Sequence, residues 1–83
     1  MAGITFDPVE ATLWCQQLAA VLGTEAPSEA ETAALLSLAS VAANASERLA
    51  APLSCWLVGR SGCSPDQALG LARELLERLA GPP

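Results

Sequence analysis

Eighty-three residues fit one small domain, and an apolar content of 52% with only 16% charged residues excludes intrinsic disorder. Seventeen alanines and 14 leucines, with few β-branched residues, point to helices and argue against an all-β fold. A net charge of −5, with no Lys, no His and four Arg, argues against a binder of nucleic acid or of an anionic membrane, since both need clustered basic side chains.

Along the chain, residues 1–6 read as an N-terminal tail. Asp7-Pro8-Val9-Glu10 then has the form of a capping box, with an N-cap Asp, Pro at the first helical position and Glu three residues after the cap. The first helix is predicted to run to Leu22 and to stop at Gly23, a natural left-handed C′ residue. Its Ala11, Trp14, Cys15, Leu18, Val21 and Leu22 share one face, with Trp14 as the anchor. Ser28-Glu29-Ala30-Glu31 is a second capping box and opens a helix over 29–45. Leu35, Leu38, Ala39 and Ala42 form its main stripe, while Leu36, Val41 and Ala43 carry apolar surface around the cylinder. A helix apolar nearly all round is either central or packed on a partner.

Ser46-Glu47-Arg48 reads as a connection whose Arg48 caps the preceding carbonyls, pairs with Glu47, or contacts a partner or an anion. Pro52 disfavours helical geometry at Ala51 and suits a first turn, so a short third helix is predicted over 52–60, with Leu53, Trp56 and Leu57 on one side. Ser61-Gly62-Cys63 is a turn. Ser64-Pro65-Asp66-Gln67 starts a last helix over 65–80, with Leu69, Ala72, Leu75, Leu76 and Leu79 on one face and charges opposite. Residues 81–83 form a C-terminal tail. The expected fold is therefore all-α, a single-domain, small four-helix bundle spanning 1–83 with a short third helix. Trp14 and Trp56 are expected to be largely buried, within the chain or in a dimer.

Catalytic chemistry finds little support in the residues. Without His, the usual Ser/His and Cys/His pairs cannot form. No two cysteines have the spacing of a zinc ligand pair, and no Gly-rich phosphate loop occurs. Cys15, Cys55 and Cys63 are odd in number, which, with no leader pattern at the start, points to a reducing cytoplasm and to small buried thiols. Cys63 near Arg60 is the one candidate reactive thiol, and a small residue in a turn is the simpler reading. The expectation is a non-enzymatic chain with no catalytic residue, no metal and no cofactor. Its function is to bind protein, through Leu36, Val41, Arg48, Trp56 and Val58 on the second and third helices and the segment between them. A homodimer, or a subunit of a complex, is the expected assembly. The acidic first 31 residues, with Asp7, Glu10, Glu25, Glu29 and Glu31 and no base, are expected to stay outside.

The stretch from Val41 to Gly59, with Arg48, Ala50-Ala51-Pro52-Leu53 and Leu57-Val58-Gly59, resembles the hallmark segment of a small domain-of-unknown-function family of high-GC, actinobacterial-type bacteria. The resemblance extends over the chain, from the Trp-containing first helix to the Ala/Leu-rich last one. Leu49 stands where that family commonly has Pro, and Asn44-Ala45 where it commonly has His-Gly. Such domains occur alone or fused behind a molybdenum cofactor guanylyltransferase. The resemblance implies an accessory role in molybdenum cofactor maturation or delivery to a molybdoenzyme such as a formate dehydrogenase. The partner is then that molybdoenzyme or the guanylyltransferase. The alternative is a small structural subunit or assembly factor of an enzyme complex unrelated to molybdenum.

Overall fold

The computed structural model describes residues 10–81. Four helices, α1 (Ala11–Leu22), α2 (Glu29–Ala45), α3 (Ala50–Ser61) and α4 (Pro65–Ala80), and no strand among the described residues make an all-α small bundle. The expected tail at 1–6 and the Asp7-Pro8-Val9 cap lie outside the described residues.

The helix starts that rest on local side-chain chemistry are formed as expected. Ser28 Oγ accepts from the Glu31 N–H at 3.1 Å, and the Ser28 N–H donates to Glu31 Oε1 at 2.9 Å. Ser64 Oγ accepts from the Gln67 N–H at 3.2 Å, and the Ser64 N–H donates to Gln67 Oε1 at 3.4 Å. Each box satisfies two backbone donors that have no partner in the helix. At the end of α1, Gly23 takes φ 74°. The Gly23 and Thr24 N–H groups donate to the Ala20 and Ala19 carbonyls at 3.2 and 2.9 Å, the paired bonds of a Schellman stop.

Two starts differ from expectation. Glu10 has ψ 141° and is the N-cap of α1, so it lies outside the helix and not at its third position. Its carbonyl accepts the Trp14 N–H at 2.9 Å. A cap contributes only about 1 kcal/mol, and Glu10 makes no side-chain capping bond. In α3, helical geometry begins at Ala50, two residues before Pro52, so Ala51 is helical. The Ala50 and Ala51 N–H groups donate to the Glu47 and Arg48 carbonyls at 2.9 and 3.2 Å in a tight turn. Pro52 therefore stands in the first turn, where its missing N–H costs nothing.

α2 is the central element, and both α3 and α4 pack on it. Leu38, at 3% exposure, is the most buried side chain; Ala19, Ala34 and Ala68 are the other buried residues described. Leu35, Ala39 and Ala42, from the expected stripe, are half-buried, as are Val41 and Ala43. Alanine contacts let helices approach closely but bury little area each. The large aliphatic side chains consequently remain outside: Leu13, Leu18, Val21 and Leu22 on α1, Leu53 and Leu57 on α3, and Leu71, Leu75, Leu76 and Leu79 on α4 are exposed. The expected excess of apolar surface on α2 is thus largely absent, with Leu36 the one large exposed side chain there, and falls on α1, α3 and α4 instead. Within a single chain Trp14 and Trp56 are 55% and 61% exposed, against the expectation of burial there, so burying them requires a second molecule. Cys15 is exposed as well, and Cys55 and Cys63 are half-buried.

The accessible surface is 6853 Å², against about 4,700 Å² for a compact chain of this mass. The radius of gyration is 15.7 Å, against about 12 Å for a compact chain of this length. The longest dimension, 56 Å, is close to that of α1, α2 and the connection between them laid end to end. α1 extends away from the unit formed by α2, α3 and α4.

The two ends of this packing scale separate cleanly. Leu38→Ala is expected to cost about 2–4 kcal/mol, whereas Leu36→Ala costs less than about 0.5 kcal/mol. Gly70, with open space around the position of a Cβ, is expected to gain up to about 1 kcal/mol as Gly70→Ala. Urea denaturation of the three variants checks the order.

Candidate functional site

Two surfaces emerge from the way α3 sits on α2. The first is an open groove of about 570 Å³. Its floor is the C-terminal half of α2, through Leu38, Val41 and Ala42, and its walls are α3 with Leu57 and Val58 and α4 with Ala72, Leu75 and Leu79. Cys63 borders it, with Glu74 and Arg78 among its lining residues. The groove exists because α3 and α4 both lean on α2 while their leucines are too large to be covered by the alanines opposite.

The second surface is the side of α3 turned away from the groove. Leu49, Leu53, Trp56 and Arg60 follow at helical spacings of four, three and four residues, which puts them on one face. Leu49 has helical backbone angles, φ −63° and ψ −23°, and continues the stripe. All four side chains are exposed. The Arg60 guanidinium lies over the Trp56 ring, 5.6 Å from its centroid. That cation–π contact holds the arginine against the indole and directs its charge toward the stripe. Cys63 sits in the turn, where its N–H donates to Ser61 Oγ at 3.0 Å while the Ser61 hydroxyl donates to the Val58 carbonyl at 2.8 Å. These two bonds close the end of α3, and Gly62 completes the turn at φ 77°.

The five side chains singled out from sequence are thus divided between these surfaces and the remaining exterior. Val41 and Val58 both line the groove. Trp56 stands on the outer stripe of α3. Leu36, 67% exposed on α2, and Arg48, exposed in the turn before α3, belong to neither. Leu57 was expected beside Trp56 and instead turns to the groove, because two positions one residue apart on a helix differ by about 100°. The groove wall of α4 includes Leu71 as well as the expected leucines. Among the described residues no group of three Cys, Asp or Glu side chains is arranged to hold a metal ion, and no helix is long and apolar enough to cross a membrane.

The profile of a family described as a domain of unknown function, DUF6457, matches residues 7–82. The chain belongs to the DUF6457 family. The match includes all four helices, the groove and the outer stripe of α3. No curated protein and no solved structure matches the chain.

Arg60 and Arg48 offer a direct contrast. Arg60→Ala is expected to lower stability by about 0.5–1 kcal/mol, the worth of an exposed cation–π pair. Arg48→Ala, by contrast, changes it by less than about 0.5 kcal/mol. Chemical denaturation of the two variants side by side checks this, and equal losses contradict it.

Proposed function

We propose that this DUF6457 domain is a non-catalytic accessory domain that docks on a larger protein through the outer stripe of α3. The observation that carries the reading is the exposed Trp56 with Arg60 laid on it and Leu49 and Leu53 in line. Trp and Arg are the residue types that dominate binding energy at protein interfaces. A Trp ring exposed to water and flanked by leucines is a surface whose burial is favourable without any rearrangement of the backbone. Arg60 adds direction, since its charge favours a partner that presents a carboxylate next to the apolar pocket. The exposed acids Glu10, Glu25, Glu29 and Glu31 lie at the other end of the sequence and repel an acidic partner from there.

The resemblance of the 41–59 segment assigns the partner's class. In this reading the domain serves molybdenum cofactor maturation or delivery, and its partner is a molybdenum cofactor guanylyltransferase or a molybdoenzyme such as a formate dehydrogenase. The stripe lies inside that segment apart from Arg60, which follows it directly. The setting is cytoplasmic, in keeping with three unpaired cysteines.

Titration of the purified chain against each of those two enzymes tests the reading. Binding to one of them is expected, with Trp56→Ala weakening it at least ~30-fold, the scale of an interface anchor of about 2 kcal/mol. Arg48→Ala is expected to leave it within ~3-fold. Absence of binding to both removes the molybdenum assignment, and unchanged affinity of Trp56→Ala removes the α3 stripe.

A further inference from the structure

The outer stripe of α3 leaves the groove unused, and the chain carries an element that matches it. We propose that α1 of a second copy of this chain fills the groove, in a reciprocal, helix-exchanged dimer. The proposal concerns a surface separate from the Trp56 stripe and does not depend on the molybdenum assignment.

Among the described residues, α1 packs little on the rest of its own chain. Ala19 is its single buried residue, while Trp14, Leu18, Val21 and Leu22, all on one face, are exposed. A helix of 12 residues is at the lower limit of what persists in water without tertiary contacts. Most helical stability comes from an apolar face laid on another surface. α1 carries no charge between Ala11 and Leu22, and the groove is lined mainly by aliphatic side chains. Each supplies what the other lacks.

Its own chain keeps α1 out of its own groove. At 1.5 Å per residue α1 is about 18 Å long and α2 about 25 Å, and the six residues 23–28 between them span at most about 20 Å. The sum, about 60 Å, is close to the longest dimension of 56 Å. Folding α1 back along α2 would shorten the molecule to roughly half. The connection is fixed at both ends, by the Schellman stop at Gly23 and by the Ser28–Glu31 capping box after Pro27. A short connection held in this way favours exchange of an element between copies over its return to the same chain.

Charge selects the groove over α1 itself as the partner. Two α1 helices side by side would bring together the flanking Glu10 and Glu25 of both copies, with no base in residues 1–31 to offset them. The charged lining of the groove is one acid and one base, Glu74 and Arg78, so it presents no net repulsion to those acids. The area is sufficient as well. A half-buried 12-residue helix and its groove cover roughly 700 Å² together, so two dockings related by a two-fold axis remove on the order of 1,400 Å², within the range of specific dimers. That is less than the excess of accessible surface over a compact chain.

Sedimentation of the full chain and three variants tests the proposal. Leu18→Glu spoils α1. Val58→Glu spoils the groove, and Leu79→Glu, at an exposed site on its wall, serves should Val58→Glu fail to fold. Circular dichroism monitors folding of each. The unaltered chain is expected to be a dimer at micromolar concentration. Each variant alone is expected to be monomeric, with association weakened at least ~100-fold. An equal mixture of the α1 variant and a groove variant restores one docking, so it forms a heterodimer. In that mixture a short bismaleimide is expected to join Cys15 of the groove variant to Cys63 of the α1 variant. A dimer that survives Leu18→Glu, a mixture that gives no heterodimer, cross-links only between two Cys15 thiols, or an unaltered chain that stays monomeric at high micromolar concentration each overturns the proposal. Trp56→Ala is expected to leave the dimer intact, so loss of partner binding and loss of the dimer are read separately.

Discussion

The packing of one face of α2 against both α3 and α4 is the constraint from which the remaining features follow. Among the described residues Leu38 is the only large buried side chain, and alanines supply the rest. Alanine pays almost no side-chain entropy on burial and lets helix axes come close. Its small area also limits the hydrophobic stabilisation gained at each contact. Such a core holds three helices together without covering the leucines at its margins. The groove between α3 and α4, the uncovered leucines of α4 and the separation of α1 all result from the same small core.

Helix boundaries were legible in the sequence where they depend on neighbouring residues. Ser28 with Glu31, Ser64 with Gln67 and the Gly23 stop use chemistry within three or four residues, and each stands where the pattern puts it. The phase of α4 was legible too, because its charged residues mark one side. In α2 nearly every position is apolar, so periodicity alone does not distinguish the face that receives α3 and α4. Val41 read as peripheral and lines the groove, whereas Leu36 shares its composition and faces outward. Pro52 misplaced the start of α3 because a proline fits any position of a first turn and its own fixed geometry does not say which.

Burial of the tryptophans was a different kind of question. An indole on an apolar helix face reads as core, and most are. Whether it is covered depends on how many helices the rest of the chain brings to that side, which is a tertiary property with no local signal. Trp14 lies on a helix that packs little on the other described helices, and Trp56 lies on α3 outside the groove lining. That Val41 and Val58 line one groove likewise follows from how α3 is set on α2. We propose the groove for self-association and the outer stripe for a larger partner; Leu49, Leu53, Trp56 and Arg60 are not among the lining residues of the groove.

The central claim is that α1 is unpacked in the single chain and acquires its surface from a second molecule. Amide hydrogen exchange, followed by mass spectrometry at several protein concentrations, addresses it most directly. In dilute solution the amides of α1 should exchange at close to the rate of an unprotected peptide, while those of α2 around Leu38 remain protected. At concentrations where the chain associates, α1 should become protected together with the groove segments of α3 and α4. Protection of α1 that is strong and independent of concentration would place it against its own chain and contradict the account.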